Sequence, residues 1–242
     1  MKERLLFYFP SLLFYMTSVW LSSCAYLQLG SALAGGPELP VLTAPPVYAA
    51  PETKGVAIDA ETGQPLEGVI VVAYWELKGF HTYPVGLMMV QEGVTGAQGR
   101  FELPAWGPKP RSPLTGQLES LEPELLAFKR GYVRQYEPTE IPKKQHPQQV
   151  LKFKKVPEDS KEYLRGVSFI DDNLRLMFRY EDCSWKQIPR MLVAMHQERL
   201  RLDAKGVKDP FNYIHTIEDR DQNSATRVKC GSVQEYLQSY LP

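Results

Sequence analysis

The chain has 242 residues, room for one domain of ordinary size with an appended subdomain. Lysine plus arginine balances aspartate plus glutamate at 28 each, so no net field draws the protein to nucleic acid. The balance is uneven along the chain: residues 51–108 carry three basic against seven acidic groups, residues 109–155 ten against five.

Met1-Lys2-Glu3-Arg4 is a short, net-positive start, and Leu5 to Trp20 is uncharged and rich in Leu, Phe and Tyr. Leu21-Ser22-Ser23-Cys24 closes it, so residues 1–23 have the parts of a secretory signal. The closing tetrad resembles the bacterial lipobox. That resemblance implies cleavage after Ser23, a diacylated and N-acylated Cys24, and a membrane attachment through this lipid anchor. Ala25 after the cysteine resembles the signal for onward transfer to an outer membrane, facing the periplasm. Two other readings stay open. Ala32-Leu33-Ala34 offers a cleavage site that would release a soluble periplasmic or secreted protein. Leu5 to Leu29 is also long enough to span a bilayer uncut. All three put the body outside the cytoplasm, because the positive flank stays inside.

Residues 24–51 form the next unit. Gly35 to Pro51 holds Pro37, Pro40, Pro45, Pro46 and Pro51 with small residues and almost no charge. That composition predicts an extended tether without a core, the alternative being an ordered strand laid on the folded part.

Residues 52–156 read as strands. Val56 and Ile58 alternate with Ala57 and Asp59, and Glu61-Thr62-Gly63 turns the chain. Val69 to Trp75 is a β-branched and aromatic run too short for a buried helix. A long loop from Lys78 to Gln91 is expected next, then a turn at Gln98-Gly99 and an alternating Arg100-Phe101-Glu102-Leu103. Gly55-Val56-x-x-Asp59, Thr62-Gly63-x-Pro65-Leu66-x-Gly68-Val69-x-Val71, Thr95-x-x-x-Gly99-x-Phe101 and Lys129-Arg130-Gly131-Tyr132 resemble the carboxypeptidase regulatory-like domain. Gly96 stands where that family usually has Asp, and Gln98 where Asn is common. The resemblance implies a mainly β fold, a transthyretin-like antiparallel β-sandwich, and no particular activity. Pro104, Pro108, Pro110, Pro113 and Pro123 make Trp106 to Pro123 a loop or an edge. Glu124 to Lys129 and Tyr132 to Tyr136 read as a hairpin about Gly131. In the last strand, Gln149 to Val156, Leu151 and Phe153 point inward and Lys152 and Lys154 outward, where lysines discourage edge-to-edge pairing.

Residues 157–242 change texture and read as a small α-helical C-terminal extension. Leu164 to Tyr180 fits a strand pair or a short helix equally well. Ile188 to Leu202 is helical, with Pro189 in its first turn and Ile188, Met191, Leu192 and Met195 in one stripe. Ser232-Val233-Gln234-Glu235 is a capping box opening a final helix.

Few groups offer chemistry. Cys183 and Cys230 lie outside the anchor in an exported chain, where two such cysteines bond, and no Cys-x-x-Cys argues for redox work. His196-Gln197-Glu198 and His215 with Glu218, Asp219 and Asp221 match no zinc spacing, so neither metal nor cofactor is expected. No Gly-x-Ser-x-Gly elbow is present, and Asp171-Asp172 or the Glu218–Asp221 run would serve glycoside hydrolysis only at the right separation. Trp75, Phe80, His81 and Tyr83, where the second strand meets the long loop, form a candidate binding surface for sugar or a partner chain, while core packing explains Tyr74 or Trp75 equally well because alternation buries one of them. The expectation is therefore a non-enzymatic envelope lipoprotein, a binding or scaffold module for an envelope protein or glycan. The alternative is an envelope hydrolase with its site in residues 158–231, which requires the histidines and carboxylates there to converge in a cleft.

Overall fold

The computed structural model describes residues 45–136, 149–180, 182–207, 214–223 and 227–241. The signal segment, Cys24, the Ala34 cleavage site and most of the expected tether lie outside these residues, as does the side chain of Phe80. The described strands are β1 (Val47–Ala50), β2 (Thr53–Asp59), β3 (Ile70–Lys78), β4 (Pro84–Val94), β5 (Arg100–Leu103), β6 (Trp106–Pro110), β7 (Gln117–Leu118), β8 (Glu124–Phe128), β9 (Tyr132–Gln135) and β10 (Gln149–Lys155). The helices follow: α1 (Lys161–Leu174), α2 (Leu176–Arg179), α3 (Pro189–Ala204), α4 (Ile217–Asn223), α5 (Arg227–Cys230) and α6 (Val233–Leu237).

One sheet runs β5-β2-β10-β9, with β2 and β10 parallel and the other pairs antiparallel. In another, β3 pairs with β4 along one side and with β8 and then β7 along the other. β1 and β6 make a two-stranded sheet. The run Val71 to Trp75 lacks polar alternation because β3 is covered on both faces. Val71, Ala73, Trp75 and Leu77 join Ala57, Phe101, Leu151 and Phe153 of the first sheet in one apolar cluster. Val72 and Tyr74, with Leu126 and Phe128 of β8, join a second cluster built from Tyr163, Leu164, Val167 and Ile170 of α1 and Met191, Leu192 and Met195 of α3. Helices α1 and α3 thus pack with residues of β3 and β8.

The motif residues serve the turns. The Asp59 carboxylate accepts the N–H groups of Glu61 and Thr62, each at 2.9 Å. Buried Thr95 accepts the Val69 N–H at 2.9 Å and donates to the Leu66 carbonyl at 2.6 Å. Gly99 has φ +68°, and a Cβ there would come 2.4 Å from the Ala57 carbonyl oxygen.

Several sequence expectations need correction. β8 and β9 flank Gly131 but do not form a hairpin: β8 pairs with β3, whereas β9 pairs with β10 in the other sheet. Leu125 to Phe128 is buried on both faces and suits a doubly covered sheet, while half-exposed Tyr132 to Gln135 suits an edge. The long loop after Lys78 shrinks to a short 3-10 turn at Phe80–Thr82, because Pro84–Val94 pairs with β3 along almost its whole length. The end of the expected tether is a strand, Val47–Ala50, paired with Trp106–Pro110. Leu164 to Tyr180 is helical, its cap set by Ser160, whose hydroxyl accepts the Tyr163 N–H at 3.2 Å. The inward Leu151 and Phe153 and outward Lys152 and Lys154 of β10 are as the alternation requires.

Candidate functional site

Trp75, placed by its sequence position on a binding surface, is instead a core residue. It is 1% exposed, packs edge-on to Trp106 with centroids 5.2 Å apart, and donates Nε1–H to the Leu121 carbonyl at 2.8 Å. Strand alternation exposes a side chain only where one face is free, and β3 has no free face. Its truncation to alanine would remove a core anchor, about 3–5 kcal/mol, rather than a ligand contact. His81 and Tyr83 are exposed on the turn, Tyr83 at 71%.

The Cys183–Cys230 disulfide is formed. It joins the turn that leads into α3 to the end of α5. Beside it Trp185 is fully buried, stacked on Phe178 and meeting the Tyr236 ring edge-on.

The histidines and carboxylates of residues 158–231 gather in pairs rather than as one set. His215 Nδ1 lies 2.7 Å from Asp171 Oδ2, and the fully buried Asp171 also takes the Arg220 guanidinium, which lies over the Phe178 ring. His196 Nδ1 accepts the Ile217 N–H at 3.2 Å, with Glu218 Oε2 3.6 Å from the same nitrogen. Asp219 accepts the Thr216 N–H at 2.9 Å, a backbone bond that holds its carboxyl below the usual range. Burial pushes the Asp221 carboxyl upward, but hydrogen bonds from Ser232 and Val233 outweigh it and the net shift is down. Each group thereby holds a helix end or a helix pair. The described residues contain no group of His, Cys, Asp and Glu able to hold a metal ion.

A cleft of about 610 Å³ opens elsewhere, where β8, β9 and α1 meet. The fold builds it directly. β9 is the edge of its sheet, and α1 lies along it. Gly166 permits the approach, since a Cβ there would sit 3.2 Å from Val133 Cγ1. The apolar face of α1 turns to the core, which leaves Lys161, Arg165 and Phe169, at i, i+4 and i+8, exposed along the other side. Phe128, Val133, Val167 and Ile170 supply the apolar lining.

On the β9 wall, Arg134 donates to the Leu125 carbonyl and lies over the Tyr136 ring, 4.7 Å from its centroid. Burial draws the Arg134 guanidinium below its ordinary value and pushes the Tyr136 phenol up. Tyr136 meets Phe169 edge-on at 5.7 Å, closing one end. Glu162, the single carboxylate in the lining, faces Lys154 at 3.3 Å. The sequence reading missed these residues, although the excess of basic groups over 109–155 and the like-charged Lys161 and Arg165 one turn apart both bear on the cleft. No family model, curated protein or solved structure matches this chain.

Proposed function

We propose that this chain is a non-enzymatic binding module displayed outside the cytoplasm and held to a membrane by a lipid on Cys24. Residues 52–156 would be a transthyretin-like β-sandwich of the carboxypeptidase regulatory-like kind, and residues 157–242 its helical extension. The sandwich reading is supported by the single apolar cluster that facing residues of two sheets share, and by Asp59, Thr95 and Gly99 at the turns of the motif. The export reading rests on the signal-like start and on a disulfide, which persists in an oxidising compartment. Among the described residues no helix is long and apolar enough to cross a membrane.

The observation that carries the binding role is the cleft between β9 and α1, a concave site where two structural layers meet, lined by aromatics and cations. Its ligand in the envelope would be a glycan, a protein segment or a smaller molecule. A photo-crosslinking side chain at position 169, in intact cells, should yield an adduct, and one at Leu200, exposed on α3, should not. Equal labelling at both positions, or none, would reject the cleft as the binding site.

One observation favours the hydrolase alternative: His215 is oriented by a buried carboxylate in the way a general base is. His215→Asn tests it. Full retention of any hydrolytic activity found in the purified chain removes the enzyme reading.

A further inference from the structure

We propose, building on the binding role assigned to the β9–α1 cleft, that its ligand is a small amphipathic anion: a phosphate or carboxylate head on a compact apolar body. Lys161 and Arg165 hold the head. Phe169, Phe128 and Ile170 enclose the body.

The charge of the cleft is the first argument. Among the described residues neither Lys161 nor Arg165 belongs to an ion pair, whereas nearby charges are matched: Lys154 to Glu162, Arg175 to Asp172 and Arg201 to Glu158. Two like charges at i and i+4 disfavour the helix that carries them, and a cation in the first turn also opposes the helix dipole. Lys161 is the first residue of α1, so both penalties fall on it. An anion bound between the two side chains relieves both.

The shape is the second argument. A volume of about 610 Å³ accepts a head group with a ring or short chain. Beyond Lys161, Arg165, Arg134 and a Glu162 already paired with Lys154, the lining is aliphatic and aromatic, so a bare inorganic ion would leave most of it unfilled. Arg134 does not compete for the head, because its guanidinium is committed to the Leu125 carbonyl and the Tyr136 ring. With one Tyr136 face under that guanidinium and Phe169 edge-on to the ring, little aromatic face remains for stacking a sugar. An apolar body fits better.

Calorimetric titration of the full chain tests this with hexyl phosphate. Hexyl phosphate should bind, with inorganic phosphate and hexanol each at least about tenfold weaker, since each lacks one half of the recognition. The double variant Lys161→Gln/Arg165→Gln should lose about tenfold or more, and Phe169→Ala should also weaken binding, while Arg175→Gln, at the cap that ends α1, changes nothing. All four positions are exposed, so no variant should melt far below wild type and the double variant, relieved of its like-charge pair, should melt slightly higher, which reports that the variants fold. Dihexanoyl phosphatidic acid separates the sources. Tighter binding than hexyl phosphate assigns the head to a membrane lipid, and weaker binding to a free amphiphile; either supports the proposal. Failure of hexyl phosphate to bind, or binding indifferent to the double variant, overturns it. If adducts at position 169 persist in that case, the ligand class is wrong and the binding role stands; if they too are absent, both fall.

Discussion

At the scale of single residues, Glu92 links the β part to the helices. α3 starts at Pro189 with no side-chain cap of its own. Glu92 of β4 supplies one, accepting the Arg190 N–H at 3.1 Å and the Met191 N–H at 2.7 Å from a side chain that is 3% exposed. Burial raises its carboxyl above the ordinary value of 4.5, outweighing the two N–H bonds and the Arg190 charge, which act in the opposite direction. A carboxyl raised on folding stabilises most below its unfolded value, and that contribution fades as the pH climbs through the folded one. Glu92→Gln keeps an acceptor but no titration. Wild type should therefore lose stability relative to this variant as the pH rises above the ordinary value of 4.5, measured by chemical denaturation. Parallel profiles would contradict the assignment. Glu92→Ala removes the acceptor altogether and should cost about 1–2 kcal/mol at the acid end, a cost that shrinks as the pH rises.

At the scale of elements, the helical part is short pieces held by cross-connections. α4, α5 and α6 are four to seven residues long, below the length at which a helix sustains itself in water. Asp221 supports the start of α6, His196 the start of α4, and Arg220 with Asp171 ties α4 to α1. The disulfide closes a sequence separation of 47 around these pieces. Replacing both cysteines by serine should cost about 2–5 kcal/mol and lower the melting temperature, matched by wild type in reductant. Two alkylatable thiols in the untreated body would refute the bridge. Arg220 and Asp171 call for a more cautious substitution, since removing one partner strands a buried charge.

At the scale of the whole molecule, the expected export and anchoring are tested at the N-terminus. Labelled fatty acid should enter the wild-type chain and fail to enter Cys24→Ser. Label in neither, beside a known lipoprotein that takes it up, would discard acylation and leave the other two readings of the N-terminus. Much of the body was legible locally. Period-2 alternation located β2, β5 and β10, the Ser232 capping box located α6, and the amphipathic stripe with Pro189 located α3, because these depend on neighbours in sequence. Strand partners were not legible. Nothing local tells that Leu125 to Phe128 joins β3 while Tyr132 to Gln135 crosses to β10, or that Pro84 to Val94 is a strand rather than a loop. Trp75 was misplaced for the same reason, since burial on both faces is a property of the layers around a strand. The sequence by itself determined where β2, β3, β5, β10, α3 and α6 lie and which cysteines could pair. Only the tertiary structure decided which faces are covered, which carboxylate caps which helix, and that α1 lies beside β9 to form a cleft. Those outcomes depend on contacts between residues far apart in the chain, where each side chain's environment is set by packing rather than by its own neighbours.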